Sequence, residues 1–338
     1  TKKNRTVGMM SGAFLTLCLL LSSSPVASGA RSCGIMDFDW TNPDVSATIA
    51  DDCVDLNLYN ARIGDDGAKA LSLALMNTDA QVESLNLRDN RIGNEGATAI
   101  AAALAKNQHI RFLQLRGNDI SDVGAIALAG ALHTNTVLTD LFLTWLDIGD
   151  NGAIAIGDAL KNNPDSSLRV LHLSWNHIGS TGAIALSNAL ASPDLVLREL
   201  NLQNNRKIDN TAALSFMRAI ETNHHLTKLW LTGTQVDATY TSHFNALLSR
   251  GPDSRMKLAE VAVVLEECGL IGSLDTVHGE LGVDEVADLA HVSRADLKDS
   301  KILKPVRRNK LIKCLCNLVV DGSLLEMEDQ TMCPGREL

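Results

Sequence analysis

Large aromatic side chains recur at related places in the chain, and they are the residues best suited to hold a ligand. Trp145 and Trp175 lie 30 residues apart, and each follows a leucine pair by two positions. Trp230 lies between Leu229 and Leu231. Only 4% of the residues are aromatic, yet three of the four tryptophans have this relation to leucine pairs. Clustered aromatics are typical anchors of a binding surface, so these positions predict binding.

Catalytic and metal-binding motifs are missing from the sequence. It contains no HExxH, no GxSxG, no phosphate-binding GxxxxGK and no paired Cys-His arrangement. The adjacent His224 and His225 fall at the end of a predicted helix, where capping is the simpler explanation. Catalytic groups can still converge from distant positions. We predict a non-catalytic protein with no cofactor and no metal site.

A short unit sets the aromatic positions, and residues 85–112 show it best. Leu85 and Leu87 alternate with polar residues, which is the period of a half-buried strand. A turn follows, with Asn94 predicted as the side-chain cap of a helix that opens at Glu95. The helix then carries a narrow apolar stripe, formed by Ala97, Ile100, Ala103 and Leu104. The unit is therefore strand, turn and helix, and it cannot bury its apolar faces alone.

This unit occurs seven times. Steps of 28 to 30 residues separate the strand starts, which are Leu56, Leu85, Leu113, Leu141, Leu171, Leu200 and Leu229. A buried amide can bond the backbone of neighbouring turns, and asparagine ends the strand in four copies: Asn90, Asn118, Asn176 and Asn205. Ala61 and Leu146 replace it in two others. In the sixth copy an inserted residue near Lys207 shifts Ile208, which predicts a bulge in the strand ladder.

The pattern resembles the leucine-rich repeat family, in particular its long ribonuclease-inhibitor-like class with a full helix in each repeat. The motif LxLxxNxI stands intact three times, beginning at Leu85, Leu113 and Leu171. The resemblance covers about residues 51–250, and the seven repeats are predicted over residues 56–253. It implies an α/β fold, a curved solenoid with parallel strands inside and helices outside. The residues between the strand leucines would then face the concave surface.

Nine residues at these outward positions and at the strand exits form the predicted ligand-binding set: Tyr59, Arg88, Arg116, Phe142, Trp145, His172, Trp175, Gln203 and Trp230. Neighbouring strands lie about 4.8 Å apart. We therefore expect Trp145 beside Trp175, and Phe142 beside His172. The alternative is that these rings pack on one another or fill the space of the asparagine that Leu146 replaces.

Residues 1–30 have the pattern of a secretory signal peptide. A basic start precedes an apolar run at 13–21, and small residues follow around Ser28 and Ala30. The run is too short to span a bilayer comfortably. We predict cleavage and a secreted protein or one of the secretory pathway. An uncleaved membrane anchor and an organelle-targeting presequence are the alternatives.

The charge balance disfavours nucleic acid and anionic membranes as partners. Formal net charge is −10, and loss of residues 1–30 would change it to −13 because three basic and no acidic residues are removed. Phosphate groups attract clustered Lys and Arg instead. We also expect no stable membrane span after cleavage.

Six cysteines follow residue 30, and an even number in a secreted chain indicates disulfides. Cys33 and Cys53 bracket the segment 31–55, which is placed to cap the exposed end of the solenoid. We predict a bridge between them; two buried free thiols are the alternative. The sequence leaves open how the other four pair: Cys268, Cys314, Cys316 and Cys333.

Residues 254–338 break the repeat and have the pattern of a small all-α bundle. The stretch 281–315 resembles a sterile-alpha-motif domain, with matching residues at Leu289, Ser293, Asp296, Leu297, Ile302, Arg308 and Leu311. Such a domain implies self-association or a second contact. The basic residues between Lys298 and Lys313 are a solvated helix face or a docking patch for an acidic partner.

Three functions stay open at this point. The family resemblance implies a protein or peptide ligand, gripped on the concave face without catalysis. A GTPase-activating role, as in some long-repeat relatives, is an alternative that a signal peptide argues against. Glycan binding by the tryptophans, which stack on sugar rings, is the other.

Overall fold

The computed structural model describes residues 31–33, 49, 53–77, 81–248, 265 and 311. Within them, eight strands form one parallel sheet in sequential order, and from the second strand onward each strand is followed by a helix. The strands are β1 (Arg31–Cys33), β2 (Cys53–Asn57), β3 (Ser84–Asn86), β4 (Phe112–Gln114), β5 (Asp140–Phe142), β6 (Val170–His172), β7 (Glu199–Asn201) and β8 (Lys228–Trp230). The helices are α1 (Gly64–Asn77), α2 (Asn94–Lys106), α3 (Asp122–Leu132), α4 (Asp150–Lys161), α5 (Ser180–Leu190), α6 (Asn210–Thr222) and α7 (Ala238–Leu248). The predicted α/β solenoid of parallel strands and helices is confirmed.

Two predicted regions lie outside the described residues. These are the signal peptide at 1–30 and, apart from Leu265 and Leu311, the helical domain at 254–338. Both stay predictions.

The strand leucines hold the repeats in step. Each strand from β2 to β8 pairs its leucine with the leucine of the next, as in Leu85↔Leu113 and Leu113↔Leu141. These leucines are buried against the helices, and Leu113 and Leu141 are 0% exposed. Residues on either side of each leucine point to the other face, because strand side chains alternate. We call the side of the sheet that faces away from helices α1 to α7 the open face; it is the face predicted as concave.

The sheet begins one strand earlier than the seven repeats. Strand β1 pairs with β2 in parallel, and its register shifts between Arg31 and Ser32. The sulfur atoms of Cys33 and Cys53 meet across this pair, with their Cα atoms 5.8 Å apart, a separation that disulfides span. The predicted N-terminal cap thus has a strand of its own.

The predicted bulge in the sixth repeat is wrong. Strand β7 pairs without a register shift, Leu200 with Leu171 on one side and with Leu229 on the other. The inserted residue lies after the strand, and Ile208 still reaches the core at 0% exposure. A loop absorbs an extra residue at little cost, whereas a strand would lose ladder hydrogen bonds.

The helices pack closely because small residues face their neighbours. The predicted stripe of α2 is confirmed, since its four residues are all buried. Among the helical glycines that the structure describes, Gly96 has the closest neighbours: a Cβ there would lie 2.6 Å from Asp65 Oδ1 and 2.7 Å from Ile92 Cγ2. Glycine at this position is therefore required by packing and not by its backbone angles.

Contrary to the prediction, Asn94 does not cap its own helix but accepts hydrogen bonds at the start of the next helix. Helix α2 begins at Asn94 with Gly93 as its N-cap, and no side chain caps it locally. Asn94 Oδ1 instead accepts hydrogen bonds from the backbone N–H groups of Ser121 and Gly124 in the next repeat, at 3.0 and 2.9 Å. The N-terminal N–H groups of a helix need acceptors, and here the preceding repeat supplies them. The same acceptor position is used by Asp65, Asp122 and Asp150.

Buried asparagines hydrogen-bond the turn after one strand to the turn after the next. Asn118 Nδ2 donates to the carbonyls of Leu87 and Leu115, at 3.0 and 2.7 Å, while its Oδ1 accepts from the N–H groups of Asn90 and Ile92. Leu146 interrupts this ladder and is itself buried, at 5% exposed. The space of the missing amide is thus filled by Leu146, and the neighbouring tryptophans do not fill it.

Candidate functional site

A row of four aromatic rings crosses the open face. The ring centroids of Phe112 and Phe142 lie 5.0 Å apart, and those of Phe142 and His172 lie 4.7 Å apart. His172 continues to Trp230 at 5.7 Å, although Asn201 of β7 lies between them in the strand register. We call these four residues the aromatic row. They place a continuous aromatic strip on the open face of the sheet.

His172 is the polar member of the row. Burial lowers its pKa from 6.5 as the largest cause, and Lys228 adds to this, whereas the Glu199 and Asp140 carboxylates act in the opposite direction. Its Nε2 is buried without a hydrogen-bond partner among the described residues. Burial of the His172 ring therefore favours its neutral form.

The second cluster lies at the edge of the open face, where the chain leaves the strands. Trp145 and Trp175 stack with centroids 5.0 Å apart and ring planes at 38°. They remain 52% and 45% exposed. We call them the tryptophan pair. Two large rings that contact each other and still present about half of their surface are what a binding anchor requires.

The backbone of the tryptophan pair is left-handed. Trp145 has φ 58° and Trp175 has φ 57°. The equivalent position has positive φ in every repeat, and the other five use residues that tolerate it: Asn60, Asp89, Gly117, Asn204 and Gly233. For a bulky residue this conformation costs on the order of 1 to 2 kcal/mol. Because the rings are not buried, core packing does not repay this cost.

A cleft of about 370 Å³ opens beside the tryptophan pair. Gly117 contributes backbone without a side chain, and Asp119, Asp147 and His177 stand two residues beyond the left-handed positions of their repeats. Asp147 Oδ1 lies 3.3 Å from His177 Nε2. Leu146 and Asn118 complete the lining. The cleft therefore combines an aromatic wall with two carboxylates.

The nine predicted site residues do not form one site. The structure groups Phe142, His172 and Trp230 in the aromatic row, and it groups Trp145 with Trp175. Arg116 joins the pair, with its guanidinium carbon 5.9 Å from the Trp145 ring centroid.

The other three predicted residues are not among the rings of either cluster. Tyr59 and Arg88 contact each other at 5.1 Å, near the N-terminal end of the sheet. Six strand steps separate the repeats of Tyr59 and Trp230, a distance of roughly 29 Å. Gln203 is half-buried at the exit of β7, and its backbone carbonyl accepts a hydrogen bond from the Trp175 N–H at 2.8 Å.

Four residues that contribute to these surfaces escaped the sequence prediction. Phe112 could have been found by extending the alternation one step before the leucine, since Phe112 and Gln114 flank Leu113 on the same face. Asp119, Asp147 and His177 have no such signal, because exposed charged residues are common in loops.

Two arrangements are not found in the described part of the chain: a metal-holding cluster and a membrane-spanning helix. Its residues include no group of three or more His, Cys, Asp or Glu side chains arranged to hold a metal ion. Its helices are all too short or too polar to cross a bilayer.

Five segments of the chain match a known family model. The leucine-rich repeat model matches residues 54–72, 82–101, 106–129, 134–157 and 165–187. The chain therefore contains leucine-rich repeats. No curated protein matches the chain in sequence.

Two solved structures are similar to the chain at low identity. One is titled "Leiomodin-1 Actin-Binding Site 2 (ABS2)"; it has 17% sequence identity and a TM-score of 0.35, covering 53% of this chain and 87% of that one. The other is a tropomodulin C-terminal domain from Caenorhabditis elegans, with 15% identity and a TM-score of 0.38, covering 60% of this chain and 98% of that one.

Proposed function

We propose that this protein is a non-catalytic recognition module that binds a protein or peptide ligand on the open face of its repeats. One observation carries the proposal: the tryptophan pair is exposed, self-stacked and set in a backbone conformation that disfavours tryptophan. Strain of this kind at an exposed site supports a functional role, because stability alone would remove it.

The aromatic row extends the same surface. It gives a ligand an apolar strip to cover, and the tryptophan pair gives it two large anchors at the edge. Binding energy in protein interfaces concentrates in such aromatic anchors, with the surrounding contacts excluding water. Tyr59 and Arg88 lie at the N-terminal end of this face and are proposed as peripheral contacts.

The repeats are proposed to belong to the long ribonuclease-inhibitor-like class. The supporting observation is that every repeat carries a helix of 11 to 14 residues, as in α3 and α1. Secretion after loss of residues 1–30 and self-association through residues 254–338 are proposals from the sequence, and the described residues do not bear on them.

The proposal can be tested with a phage-displayed library of random dodecapeptides, selected on the full chain. The test variant is Trp145→Asn with Trp175→Asn, since asparagine occupies the same left-handed position at Asn60 and Asn204. Selected peptides should bind this double variant about 30-fold more weakly, the equivalent of about 2 kcal/mol.

The matched control changes exposed apolar residues on the helices. Leu73→Ala with Ile126→Ala removes side chains that are 57% and 48% exposed, and it should leave peptide affinity unchanged. Selected peptides that bind the tryptophan variant as tightly as the native chain would overturn the proposal. So would a glycan array that binds the native chain through the tryptophan pair while no peptide does.

A further inference from the structure

The cleft beside the tryptophan pair has a charge that sets it apart from the same edge elsewhere. Two residues beyond the left-handed position, the first two repeats carry Arg62 and Arg91. The third and fourth repeats carry Asp119 and Asp147 instead, and all four side chains are exposed. The sign of the charge therefore reverses where the cleft opens.

Backbone hydrogen bonds fix the main chain that carries the two aspartates of the cleft. The N–H of Asp119 donates to the Ile92 carbonyl at 2.8 Å, and the N–H of Asp147 donates to the Ile120 carbonyl at 2.9 Å. Each aspartate is thus anchored to the repeat before its own. The repeat step therefore sets the spacing between the backbone of these aspartates and the backbone of the tryptophan pair.

The neighbours leave room for another charge. Asp147 contacts His177, whereas the Asp119 carboxylate has no ion-pair partner within the described part of the chain. Gly117 lines the cleft with backbone alone, and the Asp89 carboxylate lies where its Cβ would be. Arg116 approaches the Trp145 ring at 5.9 Å, which shows that a guanidinium is compatible with this ring.

We infer that the cleft receives one cationic side chain of the ligand, an arginine. This inference rests on the proposed function and names the chemistry that the tryptophan pair and the two aspartates would recognise. A planar guanidinium stacks on indole and presents a fork of N–H donors to carboxylates, whereas a lysine ammonium offers neither the plane nor the fork. A neutral sugar would stack on the ring but would leave the negative charge of the aspartates unmatched.

The test uses small probes, so that it does not depend on knowing the ligand. The full chain is labelled with 5-fluorotryptophan, and its fluorine resonances are assigned by single Trp→Phe variants. N-acetylarginine amide is titrated against its neutral isostere, N-acetylcitrulline amide. The Trp145 and Trp175 resonances should shift while that of Trp230 stays in place, with half-saturation at about five-fold lower concentration for the arginine probe.

Charge variants separate the cleft from the general acidity of the chain, whose net charge of −10 attracts any cation. Asp119→Asn with Asp147→Asn should weaken the arginine response about five-fold. The control, Asp165→Asn with Asp194→Asn, changes two other exposed aspartates by the same total charge and should leave the response as it was.

Three results would overturn the inference: equal responses to arginine and citrulline, an equal loss in the control variant, or a stronger shift with methyl glucoside than with the arginine probe. Failure here is distinct from failure of the proposed function. If peptide binding depends on the tryptophan pair but the probe assay shows no preference for arginine, the proposed function stands and the arginine inference is wrong. If peptide binding does not depend on the tryptophan pair, the proposed function is wrong.

Discussion

The same backbone position is filled in two different ways along the solenoid. At the strand exit, the second, third and sixth repeats use Asp89, Gly117 and Asn204, all residues that adopt positive φ at low cost. The fourth and fifth repeats use Trp145 and Trp175 with almost the same φ. Positive φ is required at this position in every repeat, so it does not explain why two repeats have tryptophan there. The comparison separates residues that serve the fold from residues that serve the surface.

The largest expected effect is on the inward side of the strands. Leu115→Ala removes a fully buried side chain and should lower the free energy of unfolding by about 2 to 5 kcal/mol, because it leaves a cavity. The control is the next residue, Arg116→Ala, which should cost less than about 1 kcal/mol. Urea unfolding of both variants checks this. Equal effects would mean that the two faces have been assigned wrongly.

The second prediction concerns the contribution of the N-terminal cap to the stability of the fold. If Cys33 and Cys53 are bridged, replacing both by serine should cost about 2 to 4 kcal/mol, by the loss of a constraint on the unfolded chain. Peptide mapping without reduction should recover the two cysteines as a joined pair. Recovery of both as alkylated thiols would contradict the bridge.

A smaller effect is expected at the left-handed position itself. Gly117→Ala should lower the free energy of unfolding by about 1 to 3 kcal/mol. The added Cβ would have positive φ and would meet the Asp89 carboxylate. Gly130→Ala is the control, because a Cβ at that helical glycine meets nothing within 4 Å and should stabilise the chain slightly. Thermal unfolding that does not distinguish the two would weaken the argument from backbone strain.

The smallest effect is a pH dependence at the aromatic row. The pKa of His172 is lower in the folded chain than 6.5, its usual value. The unfolded chain therefore binds the proton more readily, and His172 should reduce stability as pH falls below about 6.5. His172→Phe should remove this contribution, whereas His177→Gln should not. Unfolding free energies measured between pH 7.5 and 5.5 for the three chains test the sign; a native chain and His172→Phe variant with parallel profiles would contradict it.

The repeat explains why so much of the fold could be predicted from the sequence. Leucines at alternate positions and a step of 28 to 30 residues encode the strands, their register and the buried face directly. Asn94 was misjudged because its residue type indicates a helix cap but not which helix it caps. Its bonds go to the following repeat, about 30 residues away. An acceptor that works between repeats has the same local pattern as one that works within a repeat.

The site was harder to predict than the fold for a related reason. The stacking of Trp145 on Trp175 follows from the repeat step, and the structure has the two rings in contact. Their left-handed backbone, and the cleft with Asp119 and Asp147, depend on how the turns of neighbouring repeats pack beside one another. Exposed loop aspartates carry no pattern that would single them out.

The central claim is that the tryptophan pair serves binding and not stability. The most direct test measures two quantities on one variant, Trp145→Asn with Trp175→Asn: the free energy of unfolding in urea and the affinity for a peptide selected on the native chain. We predict an unfolding free energy within about 1 kcal/mol of the native value, because relief of the left-handed strain offsets the lost stacking. Affinity should fall about 30-fold. Loss of several kcal/mol of stability, or unchanged affinity, would contradict the account.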